Sequence, residues 1–224
     1  MSDPADANAA DPAILAAIQS HIELSGAGLR RRGSGESTPL LVRALGLERG
    51  VRRVIDATAG YGRDAALLAA RGAQVLLIER HPLLARALGE ALARLRELGD
   101  PLAERLSIRE GDACRHLREL PEAERPDAVY LDPMFPVTGK TALPSQSLQL
   151  LRELLRDEPE DAGELLELAR RVARRRVVVK RPTKAAPLAE GRIARLVGQQ
   201  LRFDVYAPLP RASGDPSSAP PRPT

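Results

Sequence analysis

Between residues 51 and 207, short apolar runs bounded by turn residues alternate with longer stretches of helical period, and few folds accept that pattern. VRRVID reads as a strand ending at Asp56, followed by a loop through Gly62 and a helix reaching Arg71. QVLLIE is a second strand ending at Glu79. Pro82 then sits in the first turn of a helix, where its missing N–H costs nothing, and LLARALGEALARLREL continues it with apolar residues at helical spacing. RLSIRE is a third strand ending near Arg109, residues 114–120 a short helix, and AVYL, residues 128–131, a fourth strand. Helical stretches at 145–156 and 160–174 precede the β-branched RVVVKRP, and IARLVGQQLRFDVYA closes the pattern as a hairpin with strands near 193–197 and 201–207. Strands alternating with helices predict an α/β fold, a mostly parallel sheet covered by helices on both faces.

The flanks differ in kind. Residues 1–25 form an N-terminal extension whose first part is rich in Ala, Asp and Pro and is expected to be disordered. The stretch from Pro12 to Leu24 reads as a helix, or as a helix passing into a strand. GAGLRRRGSGE follows, a glycine-rich loop holding Arg30, Arg31 and Arg32, and a short helix from Thr38 to Gly46 completes residues 26–50. That loop is either an RNA- or phosphate-contacting element or a solvated connector. Residues 208–224 are Pro- and Ser-rich and are expected to form a disordered tail.

A charge of +4, carried almost wholly by arginine, makes a nucleic-acid partner plausible, because guanidinium binds phosphate in bidentate fashion and stacks on bases. An arginine-rich composition with most charges on solvated faces is the bland alternative. Cys114 is the only cysteine, which excludes internal disulfides and cysteine-cluster metal sites. His21, His81 and His116 lack metal-ligand spacing, so no metal is expected. No apolar run approaches the ~20 residues of a membrane span and no signal peptide opens the chain, so a cytoplasmic protein is expected.

Candidate chemistry gathers at the strand ends. DATAGYG follows the first strand, and Gly60 and Gly62 let backbone approach a ligand without Cβ interference. Glu79 ends the second strand, where a carboxylate can accept both hydroxyls of a ribose. Gly111-Asp112 follows the third strand, placed to meet an adenine edge, and Asp132 follows the fourth. Gly60-x-Gly62-x-x-Ala65 also satisfies a relaxed dinucleotide fingerprint. A pyrophosphate, however, wants neutral or positive surroundings at the helix N-terminus, and Asp56 and Asp64 flank this loop. S-adenosylmethionine presents an ammonium and a sulfonium, which carboxylates attract, and it is the favoured cofactor. The terminal hairpin agrees, since it fits a seven-stranded methyltransferase-type sheet better than a six-stranded dinucleotide-binding one.

DATAGYGRDA, LIERHP, YLDPMFP and VVVKRP together resemble the bacterial ribosomal RNA small subunit methyltransferase J family, over residues from about 26 to 207. The resemblance implies a class I, Rossmann-like methyltransferase domain over residues 51–207 and methylation of a guanine N2 in 16S rRNA, free or in the small ribosomal subunit. By match, cofactor contacts fall on Arg63-Asp64, Glu79-Arg80, Gly111-Asp112 and Asp132. The portion before the glycine-rich loop is shorter than in the family, and the family's serine-type turn after the third strand here reads Gly111-Asp112.

Within that reading, the Asp132 carboxylate and the Pro133 carbonyl accept the two N2 protons, and Phe135 stacks on the flipped base. The plainer role for Phe135 is a hydrophobic plug beneath the loop. Lys180 and Arg181 either hold a phosphate beside the base or, more simply, Lys180 pairs with Asp132. Tyr61 packs near the cofactor or caps its turn, and Cys114 is core. The rival reading is a different class I methyltransferase acting on DNA adenine or protein glutamine, which would use a similar Asp-Pro loop. A non-catalytic RNA-binding module would keep the basic surface without turnover, and Glu79, the glycine loop and Asp132 occurring together argue against it.

Overall fold

A computed structural model describes residues 12–22, 24, 37–133 and 161–210. Seven strands form one sheet: β1 (Arg53–Asp56), β2 (Gln74–Glu79), β3 (Leu106–Glu110), β4 (Ala128–Leu131), β5 (Arg176–Pro182), β6 (Arg192–Val197) and β7 (Leu201–Tyr206). Their spatial order is β3-β2-β1-β4-β5-β7-β6. The first five run parallel, and β7 enters antiparallel between β5 and β6. The α/β expectation, the seven strands and the closing hairpin all hold. The ambiguous N-terminal stretch is helical, α1 (Pro12–His21). The other described helices are α2 (Ser37–Leu45), α3 (Arg63–Ala70), α4 (Pro82–Glu97), α5 (Ala113–Arg118) and α6 (Ala162–Val172). The helix expected at 145–156 and the arginine-rich loop lie outside the described residues.

Strand side chains alternate between faces, and both faces here are covered, so β4 and the centre of β5 are apolar at every position. Val54, Val75, Leu77, Tyr130 and Val178 point to one side, against Leu41 and Leu45 of α2, Leu68 of α3 and Leu88 and Leu92 of α4. Their neighbours Ile55, Ile78, Val129, Val177 and Val179 point to the other, against Cys114 and Leu117 of α5 and Leu165, Leu166 and Ala169 of α6. Cys114 is thus core. The apolar fill is almost entirely aliphatic, as the 2% aromatic content requires.

The hairpin is locked by a buried ion pair. Arg202 and Asp204 are 2% and 0% exposed, and Arg202 Nε and Nη2 donate to the Asp204 carboxylate at 3.0 Å. Arg202 Nη1 donates to the carbonyls of Pro182, Thr183 and Ala185, tying β7 to the turn that follows β5. Arg192 adds a bond to Asp204 at 2.9 Å. Burial pushes the Asp204 carboxyl upward, but the bonds from Arg202 and Arg192 outweigh it and hold the group below its usual value.

Candidate active site

From β1 the chain runs outward through β2 to β3, then returns to place β4 on the other side of β1. At such a reversal the loops after the two central strands leave in opposite directions, opening a crevice at their carboxyl ends. Asp56 ends β1, and Asp132 directly follows β4. Each wall of the crevice therefore carries a carboxylate, and Glu79 at the end of β2 adds a third.

The turn after β1 is built on these acids. Asp56 is 1% exposed, and its Oδ1 accepts from Thr58 N at 3.2 Å. Thr58 Oγ1 in turn accepts from Asp132 N at 2.6 Å, so the turns after β1 and β4 are tied together. Glu79 is 8% exposed; its two oxygens accept from Gly60 N at 2.7 Å and His81 N at 2.9 Å. Gly60 and Gly62 both take the left-handed conformation, with φ +53° and +76°, which glycine adopts without steric cost. They differ in purpose. A Cβ on Gly62 would lie 2.5 Å from Leu24 and 2.8 Å from Leu88, so packing demands that glycine. A Cβ on Gly60 would meet nothing nearer than Thr58 O at 4.0 Å, so the loop backbone is open to close approach there.

Lys180 completes the cluster. Its Nζ donates to Asp132 Oδ2 at 2.8 Å and to Asp64 Oδ2 at 3.1 Å. The same Asp64 oxygen accepts from the hydroxyl of buried Tyr130 at 2.6 Å. Burial opposes the Lys180 charge, but Asp132 and Asp64 outweigh it, and its pKa lies above the ordinary lysine value. Burial raises the Asp132 carboxyl from its ordinary value in spite of Lys180. Asp56, Asp64, Glu79 and Asp132 converge closely enough that the last three each disfavour ionisation of Asp56. Burial first, then Asp64, then Asp132 and Glu79 push its pKa to about 8, against the Thr58 N–H.

The structure separates two residues expected to act together. Successive strand residues face opposite ways, so Lys180 points to the crevice side while Arg181 is 7% exposed on the other face and donates to Ala186 O at 2.6 Å. The simpler expectation for Lys180, a salt bridge to Asp132, is what the geometry shows. Gly111 N donates to Glu79 O at 2.8 Å, so Gly111 lies beside the crevice. The Asp112 side chain caps α5, accepting from Arg115 N at 2.7 Å. Arg63 and Arg80 are exposed at the first residue of α3 and just beyond β2. Tyr61 packs with Ile18 and Leu84, its ring centroid 5.7 Å from that of His21, so it anchors α1 to α4. Phe135, Arg30, Arg31 and Arg32 lie outside the described residues. Thr58 and Tyr130 are contributors that residue patterns did not single out as site residues. The only hint was that Tyr130 is one of few aromatics.

With this geometry established, comparison with known proteins is decisive. The chain matches the family model "Putative SAM-dependent methyltransferase" over residues 9–208. It is 47% identical over 188 residues to ribosomal RNA small subunit methyltransferase J of Alkalilimnicola ehrlichii, covering 81% of this chain and 71% of that one. It is 45% identical to the protein of the same name from Pseudomonas fluorescens, with 81% and 70% covered. The chain belongs to this methyltransferase family. A crystal structure of a SAM-dependent methyltransferase from Neisseria gonorrhoeae superposes with TM-score 0.62 at 32% identity, covering 79% of this chain and 74% of that one. The protein is accordingly a SAM-dependent methyltransferase with S-adenosylmethionine as methyl donor, and the dinucleotide alternative is set aside.

The residues present fit that cofactor. Asp64, Glu79 and Asp132 converge near one ammonium beside Asp56, which carries its proton below about pH 8, and this excess of acidic groups suits a sulfonium and an amino group and is hostile to a pyrophosphate. Glu79 would hold the ribose hydroxyls and the Gly60 backbone the amino-acid portion.

Asp56 supplies a test through pH. Its folded pKa is about 8 against 3.8 for an ordinary aspartate. Between those values the folded protein retains a proton that the unfolded chain has released. Its relative stabilisation is therefore full below 3.8 and lost as pH rises through about 8. Urea midpoints of the ligand-free protein should decline between pH 5 and pH 8, and Asp56→Asn should flatten that decline. Parallel curves for the two proteins would remove Asp56 as the cause.

Proposed function

We propose that this protein transfers a methyl group from S-adenosylmethionine to the exocyclic N2 of a guanosine in 16S rRNA, in the free RNA or in the small ribosomal subunit. The observation that carries the reading is Asp132. It is a carboxylate at the switch point of the sheet, oriented by Lys180 on one oxygen and by Thr58 through its backbone, and followed at once by Pro133. The relatives' name supports the substrate class.

Guanine N2 is a poor nucleophile because its lone pair is delocalised into the ring. Acceptors on its two protons draw that lone pair back toward nitrogen. Lys180 occupies Asp132 Oδ2, and Oδ1 makes no hydrogen bond among the described residues, so Oδ1 is the oxygen offered to one N2 proton. The Pro133 carbonyl serves the other. When bound, the cofactor supplies a methyl group on a positively charged sulfur. The work of this chain is to place N2 in line with that methyl group and to hold it there. Burial raises the Asp132 pKa, which suits this group to take up the proton that N2 releases as its bond to carbon forms. Phe135 is the proposed stacking partner of the flipped base, and Arg30, Arg31 and Arg32 are proposed RNA contacts. Gly111-Asp112 is proposed at the adenine edge, with Arg63 and Arg80 around the cofactor. Such a substrate places the protein in the cytoplasm.

The test is methyl transfer from labelled cofactor to naked 16S rRNA, to small subunits and to DNA, followed by nucleoside analysis. N2-methylguanosine at a single position is expected. Label on DNA adenine or on ribosomal protein would move the protein to another amine substrate.

A further inference from the structure

At the opposite end of the strands lies a second concentration of charge. Arg49, Arg52 and Arg53 lie at the entry to β1, and Arg174, Arg175 and Arg176 at the entry to β5. Register brings the two groups together: Asp127 N donates to Arg53 O and Arg175 N to Asp127 O, across the head of β4. Among the described residues none of these six guanidinium groups forms a salt bridge. Arg52 donates to the carbonyls of Leu47 and Val51, and Arg53 to those of Ala123 and Glu124. Arg174 donates to Glu122 O, Arg175 to Arg49 O and Arg176 to Ala44 O.

A carbonyl satisfies an N–H without cancelling its charge, so this end of the sheet keeps its positive field. The acids close by do little to offset it. Glu122 pairs with Arg125 and Glu124 with Arg109; Asp127 keeps its negative charge, one oxygen accepting from the neutral backbone N–H groups of Arg52 and Arg53, and stands as one carboxylate among six guanidinium groups. The arginines also repel one another: Arg176 is held below the ordinary guanidinium value by burial first and then by Arg175 and Arg49. Its buried Nε has no hydrogen-bond partner. Gathering like charges so closely is costly unless an anion joins them.

We infer that the amino-terminal edge of the sheet is a second nucleic-acid contact, in which Arg49, Arg52, Arg53, Arg174, Arg175 and Arg176 bind backbone phosphates of the RNA substrate at a distance from the base being methylated. The inference rests on the RNA reading of the preceding subsection. Lys180 is four residues beyond Arg176 on β5, roughly 13 Å along the strand. A folded RNA is far larger than that separation and can touch both ends of the sheet. Guanidinium suits the role through bidentate bonds to phosphate oxygens. Such contacts carry no sequence information; they set affinity and orientation.

The test uses the full chain and a 16S rRNA transcript, with binding measured from low to moderate salt. Arg49→Gln, Arg52→Gln and Arg175→Gln are combined in one variant, which removes exposed charges and leaves half-buried Arg176 in place. The slope of log affinity against log salt should fall by about 2 to 3, since each phosphate contact contributes roughly 0.7 to 0.9. Cofactor affinity and the rate at saturating RNA should be unchanged. A control variant removing Arg86, Arg94 and Arg96 from α4 should keep the wild-type slope. An unchanged slope in the test variant, or an equal fall in the control, overturns the inference while leaving the methyl-transfer reading intact. If the unmodified chain binds and methylates no RNA, that reading falls and takes this inference with it. Should the triple variant fold poorly, photocrosslinking of the wild-type protein to thiouridine-substituted RNA gives the answer. Crosslinked peptides should include residues 49–53 and 174–176, and their absence counts against the contact.

Discussion

Asp132→Ala should lower the rate of methyl transfer by about 10²-fold or more, an extent comparable to removing an acid–base group, while the protein stays folded. The structure explains why these effects should separate. Asp132 is half-buried, and its structural bond runs from its backbone N–H to Thr58 Oγ1, which alanine retains. Lys180 loses one partner but keeps Asp64 at 3.1 Å, so no buried ammonium is stranded. Only the carboxylate offered to the substrate disappears. Single-turnover transfer to 16S rRNA at saturating cofactor, set beside thermal unfolding of the same variant, checks both halves. A wild-type rate would sink the proposed role of Asp132. A collapse of stability with the rate would show it to be structural.

Glu79→Ala should weaken S-adenosylmethionine binding by about 100-fold, near 2.7 kcal/mol, within the range of one hydrogen bond to a charged acceptor. It should also lower the thermal midpoint of the ligand-free protein by about 4–8 °C. The Glu79 carboxylate holds the amides of Gly60 and His81, and leaving these part-buried donors unpaired costs about 1 kcal/mol each, the low end of the range for a buried donor. Glu79 clamps the glycine turn, and in the proposed reading it is a ligand contact as well. Glu79→Gln helps to divide the two roles, because it keeps the size of the side chain and one acceptor oxygen. Calorimetric titration with the cofactor and a thermal scan without it are the measurements. Affinity within twofold of wild type in Glu79→Ala would dismiss the ribose assignment.

Much of this protein was legible in the residues because its signals are local. Pro82 at a helix start, the β-branched RVVVKRP and the Asp-Pro after AVYL each depend on a few neighbouring residues, and each element lies where those residues put it. The row of acids at the strand ends was readable for a related reason. Parallel strands share one carboxyl edge, so a residue that ends a strand is assigned to that edge without any distance being known. What could not be read was the partnership of side chains far apart in sequence. Lys180 meets Asp64 across 116 positions and Asp132 across 48, and Thr58 meets the Asp132 amide across 74. No local pattern encodes such pairs.

The sequence by itself determined the alternating architecture, the closing hairpin and the carboxyl edge at which chemistry could occur, because periodicity and strand punctuation are properties of neighbouring residues. It also carried the family likeness in four short motifs. Only the tertiary structure decided what the acids and arginines do once they are there. Strand alternation sent Lys180 toward Asp132 and turned Arg181 into the core of the opposite face. Sheet order made Asp56 and Asp132 the two walls of one crevice. Register across β1, β4 and β5 gathered six distant arginines at the other end, five of them with carbonyls as partners and none in a salt bridge among the described residues. Charge and hydrogen bonding act through space, and only the folded chain fixes those distances.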